Sequence, residues 1–114
     1  MEIIDLGNGA TCEIDAYGNK VYILNNMYHR IGGPAIEHVG GYKAWMLFGK
    51  IHRIGGPAIE RVYSQEWWQN GNQHRLDGPA IEFKYGDDYP SWYINGVEYS
   101  EKEFNMIKEV LWAI

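Results

Sequence analysis

The sequence predicts a mainly β fold: an antiparallel meander of about four hairpin repeats, ended by a C-terminal capping α-helix. Three observations carry this expectation. One phrase occurs three times, as His29-Arg30-Ile31-Gly32-Gly33-Pro34-Ala35-Ile36-Glu37, His52-Arg53-Ile54-Gly55-Gly56-Pro57-Ala58-Ile59-Glu60 and His74-Arg75-Leu76-Asp77-Gly78-Pro79-Ala80-Ile81-Glu82, its histidines 23 and 22 residues apart. A near-constant period in that range marks a supersecondary unit stacked on copies of itself. The 14 glycines and the 15% aromatic share read as many short strands joined by tight turns. Last, a helix start signal and a helical apolar spacing occur together only after Tyr99.

Taken in order, residues 1–16 supply N-terminal cap strands, 17–99 the hairpin repeats and 100–114 the helix, all in a single domain 1–114. Residues Thr11 to Leu24, turning at Tyr17-Gly18-Asn19, read as a degenerate first unit. An aromatic stands seven residues before each motif histidine: Tyr22, Trp45 and Trp67. Between aromatic and histidine comes a turn pair, Asn25-Asn26, Phe48-Gly49 or Asn70-Gly71, and the register continues as Trp92, Asn95-Gly96 and Tyr99. Asn-Gly between apolar runs signals a type I′ hairpin, whose two central residues both need positive φ. Each unit is therefore strand, turn, strand: Ala35 to Val39, Ala58 to Val62 and Ala80 to Lys84 alternate with the aromatic strands Ala44 to Leu47, Glu66 to Gln69 and Ser91 to Ile94. Gly40-Gly41, Ser64-Gln65 and Tyr85-Gly86-Asp87-Asp88-Tyr89-Pro90 make the intervening turns. The count of turn signals predicts about eight or nine strands.

Ser100-Glu101-Lys102-Glu103 is a capping box, in which Ser at N-cap and Glu at N3 each satisfy the other's backbone donor. Phe104, Ile107, Leu111 and Ile114 then form one apolar helix face. Covering the open end of a repeat sheet is the first role for this helix. Met106, Val110 and Trp112 widen its apolar surface and leave homodimerisation through the helix as the second.

Composition sets the function classes. A hydrophobic share of 46% is that of a folded domain, and a net charge of −5 without a Lys or Arg run opposes a phosphate-tracking nucleic-acid groove or an anionic membrane surface. Cys12 is the single cysteine, so no internal disulfide forms. The start, Met1-Glu2-Ile3-Ile4-Asp5-Leu6, has no basic n-region, and no stretch approaches the roughly 18 apolar residues of a membrane helix. A soluble cytoplasmic protein is expected.

The repeated residues read as architecture. Pro lacks an N–H and fixes φ, and the glycines before it admit left-handed backbone, which makes Gly-Pro a sharp corner. Equivalent histidines two strands apart should lie about 9.6 Å from each other, too far to share a metal at about 2.0 Å. His29, His52 and His74 are therefore expected to hydrogen-bond the backbone of their own corners, with no metal and no cofactor. Arg30, Arg53 and Arg75 lie seven residues before Glu37, Glu60 and Glu82 and should form a ladder of ion pairs. Trp45, Trp67 and Trp92 are read as packing residues. No catalytic set emerges: Thr11, Ser64, Ser91 and Ser100 have no matching His-Asp arrangement, Cys12 has no adjacent base, and Glu101/Glu103 and Asp87/Asp88 are cap and turn residues. A non-enzyme is expected.

The pattern aromatic-x-x-x-Asn-Gly-x-x-His-Arg-x-x-Gly-Pro-Ala-x-Glu resembles the MORN-like repeats of small proteins of tailed bacteriophages and some large DNA viruses, across residues 17 to 104. The run Trp92 to Phe104 looks like the usual last unit of such phage proteins. The resemblance implies a contact scaffold, and for a phage an accessory protein in the host cytoplasm that inhibits a host defence or metabolic protein by direct binding. Its partner would be a host or phage protein. Two alternatives stand beside this: a small-molecule or nucleotide sequestering protein whose motif arginines hold phosphate, and a structural module that self-assembles.

Binding is sought where the copies differ. Side chains alternate faces along the aromatic strand, with the recurring Trp45, Trp67 and Trp92 on one face and Met46, Trp68 and Tyr93 on the other. Ile36/His38, Ile59/Arg61 and Ile81/Phe83 should share that second face. Trp68, Tyr93, Met46, Phe83 and Arg61 are the expected partner-binding patch, since Trp, Tyr and Arg dominate interface hot spots. The competing expectation is that the terminal helix covers this face.

Overall fold

The computed structural model describes residues 1–85 and 89–112. Gly86, Asp87 and Asp88 of the expected last turn, Ile114, and the side chains of Leu111 and Trp112 lie outside what is described. The elements run β1 (Glu2–Gly7), β2 (Ala10–Ile14), β3 (Lys20–Leu24), β4 (Met27–Tyr28), β5 (Ile36–Glu37), β6 (Lys43–Ala44), β7 (Met46–Leu47), β8 (Lys50–Ile51), β9 (Ile59–Glu60), β10 (Ser64–Glu66), β11 (Trp68–Gln69), β12 (Asn72–Gln73), β13 (Ile81–Phe83), β14 (Trp92–Ile94), β15 (Val97–Tyr99) and α1 (Glu101–Trp112). Nine strands form one antiparallel sheet in the order β1-β2-β3-β5-β6-β9-β10-β13, with β4 beside β3, and three two-stranded hairpins, β7-β8, β11-β12 and β14-β15, branch from it. The fold is mainly β with one C-terminal helix, as expected. No described helix is long and apolar enough to cross a membrane.

The extra short strands arise because each aromatic strand changes partner at its aromatic. Lys43 and Ala44 pair with β5 and β9, whereas Met46 and Leu47 pair with β8 of their own hairpin. Trp45 sits at the switch: its N–H donates to Ala58 O (2.7 Å) and its carbonyl accepts from His52 N–H (3.0 Å). The chain climbs the aromatic strand, reverses in the hairpin turn, bulges out as the corner, and rejoins the sheet at Ala-Ile-Glu. All four expected turn pairs have positive φ at both positions, including Phe48 (48°) and Gly49 (78°). Asn8 and Gly9 form a further turn of this kind, joining β1 to β2.

Register sorts the side chains into two faces, because directly opposed residues in a ladder share a face. Lys20, Glu37, Lys43, Glu60, Gln65 and Glu82 are successively opposed on one face, where acids and bases alternate over the first four. Val21, Ile36, Ala44, Ile59, Glu66 and Ile81 are successively opposed on the other.

The repeated motif is accounted for on the first face, called here the ladder face. Arg30, Arg53 and Arg75 fold back over Tyr22, Trp45 and Trp67 of their own units at 4.0, 3.9 and 3.7 Å from the ring centroids. Each Nη1 also donates to a corner carbonyl: Pro34 O (3.1 Å), Pro57 O (3.0 Å) and Pro79 O (3.0 Å). The expected ion pairs form, Arg30–Glu37 at 2.7 Å, Arg53–Glu60 at 3.8 Å and Arg75–Glu82 at 2.8 Å. Ala35, Ala58 and Ala80, fully buried, leave room for the neighbouring rings.

The corner glycines serve two different purposes. Gly32 and Gly55 adopt positive φ (85° and 87°), and Asp77 at the third corner does not. Instead Asp77 accepts from Arg75 Nε at 2.9 Å. Gly33, Gly56 and Gly78 are needed for space, since a Cβ there would lie 2.8–3.0 Å from the arginine Cζ.

The histidine expectation needs correcting. His29, His52 and His74 do not bond their own corners: each Nδ1 accepts an N–H from the next unit's hairpin turn, from Phe48 (2.9 Å), Asn70 (3.0 Å) and Asn95 (2.9 Å). The histidine is thus a staple between units. Gly49, Gly71 and Gly96 N–H reinforce it by donating to Tyr28, Ile51 and Gln73 carbonyls.

The molecule is thin and extended, 49 × 35 × 17 Å, with a radius of gyration of 16.3 Å against roughly 13 Å for a compact chain of this length. Among the described residues the buried apolar set is accordingly narrow, four alanines with Cys12, Ile59, Ile94 and Phe104. α1 packs on β14 and β15 and buries Phe104, while Met106 and Val110 stay exposed. Its capping box forms as expected: Glu103 N–H donates to Ser100 Oγ (3.1 Å) and Ser100 N–H to Glu103 Oε1 (3.0 Å).

Candidate protein-binding surface

Opposite the ladder face, the contact between repeats uses the backbone of the variable positions and not their side chains. The N–H groups of Arg30, Arg53 and Arg75 donate to the carbonyls of Met46, Trp68 and Tyr93 in the next unit, each at 3.1 Å. A carbonyl is present whatever the side chain, so this position can vary without weakening the repeat contact. Met46, Trp68 and Tyr93 are half-buried. Opposed to them are Ile51, Gln73 and Glu98.

Glu66 organises the middle of this face. It stands where the neighbouring units carry Ala44 and Ser91, between the flanking Ile59 and Ile81. Its side chain is only 13% exposed. Glu66 Oε1 accepts from Trp68 Nε1 (3.1 Å) and Gln73 Nε2 (3.3 Å), and Oε2 accepts from Arg61 Nε (3.0 Å). A carboxylate removed from water is costly unless such charge-assisted bonds compensate it. The bonds in turn hold the Trp68 indole and the Arg61 guanidinium in fixed orientations.

Arg61, half exposed, lies 5.2 Å from the Tyr42 ring, which in turn tilts against His38 at 5.3 Å. Phe83 is exposed and opposed to buried Ser64. Tyr93 Oη donates to Glu98 Oε2 at 3.3 Å, and burial with the adjacent Glu98 charge raises its phenol pKa. The structure therefore joins Trp68 and Arg61 through Glu66, with Met46 and Tyr93 at the equivalent positions of the flanking units and Phe83 on the next strand. Trp45 and Trp67, with the repeated arginines, belong to the ladder face.

Glu66 and Gln73 were missed from sequence. The signal was there: both depart from their equivalents, Ala44 and Ser91 for one, Tyr28 and Ile51 for the other, within a single unit. A second copy-specific feature lies on the ladder side. Phe48 occupies a left-handed turn position where other units have asparagine, and it is 60% exposed, its ring 4.2 Å from His29. With Trp45, Leu47, Ile31 and Ile54 it lines a groove of roughly 550 Å³ between the first two corners.

Among the described residues no three His, Cys, Asp or Glu side chains converge as a metal site. Compared with known proteins, the chain matches no family, no curated protein and no solved structure.

Proposed function

We propose that this chain is a non-catalytic protein-binding module that presents the Trp68, Arg61, Phe83, Tyr93 and Met46 face to a partner protein. The observation that carries the reading is the Glu66 cluster. A carboxylate has been placed in the middle of an otherwise apolar sheet row, at a position the scaffold fills with Ala or Ser elsewhere, and its hydrogen bonds orient an indole and a guanidinium. Arg61 engages Glu66 through Nε alone, so its Nη groups suit a carboxylate on the partner beside an apolar contact. The motif arginines that a sequestered phosphate would require are stacked on rings and bonded to corner carbonyls, which favours protein binding over nucleotide capture. The MORN-like resemblance extends the proposal to its finer form, a phage accessory protein that inhibits a host protein in the bacterial cytoplasm.

Native mass spectrometry of tagged chain recovered from bacterial lysate tests it. A stoichiometric protein complex, lost in Trp68→Ala and in Arg61→Ala but kept in Ile54→Ser, is the expected result. A bare chain carrying a small extra mass, or a complex indifferent to both first variants, defeats the proposal.

A further inference from the structure

The two ends of the sheet are treated differently. At the β14–β15 end α1 lies over the hairpin, whereas β1, six residues and the longest strand, closes the other end with every residue exposed. Ile3, Ile4 and Leu6 are 61, 39 and 52% exposed. No strand lies beyond β1 among the described residues; the strand carries neither Lys nor Pro, and its register shift between Asp5 and Gly7 lies past the Ile3–Asp5 stretch.

Backbone directions along this edge follow from the hydrogen bonds further in. Tyr22 N–H donates to Ala35 O and Tyr22 O accepts from His29 N–H, so both groups of Tyr22 point away from β2. Its partner Cys12 consequently directs its own groups toward β1, where it is opposed to Ile4. Ile4 thus spends its N–H and C=O on β2. By the alternation of an antiparallel ladder, those of Ile3 and Asp5 point outward.

We propose that β1 is a homodimer seam, in which a second copy pairs its own β1 antiparallel about a twofold axis at Ile4. This register sets Ile3 against the partner copy's Asp5 and Asp5 against its Ile3, so all four outward groups on each strand find partners. It also opposes Ile4 to Ile4 and Leu6 to Glu2, leaving no like charges face to face. Shifting the axis between Ile3 and Ile4 would oppose Glu2 to Asp5 and meet inward-pointing groups. Centring on Asp5 would oppose Asp5 to itself, and centring on Ile3 would leave Leu6 beyond the partner strand. A twofold seam consumes the bare edge of β1, and α1 lies over the hairpin at the other end, so assembly stops at two. The proposal is independent of the protein-binding face.

Sedimentation equilibrium of the full chain reads the seam directly. Ile3→Pro removes an outward N–H and no bond to β2; it should keep the circular-dichroism spectrum and raise the dimer dissociation constant roughly tenfold or more. Disulfide trapping gives a second readout should Ile3→Pro fold poorly. In a Cys12→Ala background, which prevents pairing with Cys12 within the chain, Ile4→Cys places two thiols across the axis on Cα atoms about 4.5 Å apart, within disulfide reach. Mild oxidation should yield a covalent dimer from Ile4→Cys and not from Ile3→Cys. A monomer at all concentrations, trapping through residue 3 instead, or a dimer untouched by Ile3→Pro and dissolved by Met106→Glu on α1 would each overturn the proposal.

Discussion

Replacing Arg53 by Ala removes three interactions at once, and their geometry says which one matters. The guanidinium lies 3.9 Å from the Trp45 ring centroid with the side chain 32% exposed, a partly desolvated cation–π contact contributing about 1 kcal/mol. Its 3.0 Å bond to Pro57 O is charge-assisted and contributes roughly 1–2 kcal/mol. The Glu60 carboxylate is 3.8 Å away and half-solvated, which limits the ion pair to at most about 0.5 kcal/mol. Arg53→Ala should therefore cost about 2–3 kcal/mol, and Glu60→Gln less than about 0.5 kcal/mol. Arg53→Lys keeps the charge and loses the planar stack, so it should fall between the two. Urea unfolding at neutral pH, with equal m-values across the set, is the assay. An Arg53→Ala cost below about 1 kcal/mol, or an Arg53→Lys as stable as the parent, would refute the idea that stacking and carbonyl capture hold the corner.

Three further outcomes follow from individual residues. Phe48→Asn relieves a bulky side chain from φ of 48° and should stabilise by about 1 kcal/mol; a loss of similar size in thermal melting would mean that packing on His29 outweighs the strain. Gly56→Ala should destabilise the parent, because its Cβ meets Arg53 Cζ at 3.0 Å. The same change should be nearly neutral once Arg53 is Ala, and additive costs in that double-mutant cycle would count against the steric explanation. Burial holds the imidazole pKa of His74 below its ordinary 6.5, and protonation would remove the Nδ1 acceptor from Asn95 N–H. His74 therefore binds protons more readily unfolded than folded, so its contribution is complete above about pH 6.5 and is lost as pH falls toward the folded value. Stability measured against pH should show a shallower acid-side decline in His74→Gln, and an unchanged slope would be the contrary finding.

How far the fold could be read in advance depended on the range of each interaction. Hairpins were legible because a type I′ turn imposes a local rule on two adjacent residues, met by Asn70-Gly71 and Asn95-Gly96 alike. The Arg–Glu ladder was legible because the same seven-residue interval across the corner separates Arg30 from Glu37, Arg53 from Glu60 and Arg75 from Glu82. Arg30, Arg53 and Arg75 folding onto the aromatic eight residues earlier was not, because that contact depends on the corner's path out of the sheet. For the same reason the second corner glycine was assigned to backbone freedom when it is needed for space. The histidines were given the wrong partner because their N–H donors, Phe48, Asn70 and Asn95, lie about twenty positions away, where only the lateral stacking of units brings them close. Of the candidate face, alternation and copy-to-copy variation pointed to Trp68, Arg61 and their neighbours. Glu66 escaped notice because an acid beside a repeated tryptophan reads as a solvent-facing strand residue until Trp68, Gln73 and Arg61 are seen to surround it.

Trp67 and Trp68 are adjacent in sequence and face opposite ways, so their alanine variants test the division between scaffold and proposed binding face most directly. Trp67 carries the Arg75 stack at 3.7 Å, and Trp67→Ala should cost about 3–5 kcal/mol in urea unfolding. Trp68→Ala retains the carbonyl of the repeat contact and loses the Nε1–H bond to Glu66, a carboxylate that truncation also opens to water, so it should cost about 1–2 kcal/mol. Equal losses from the two would show that the Trp68 face is core and contradict its assignment as the surface that meets a partner.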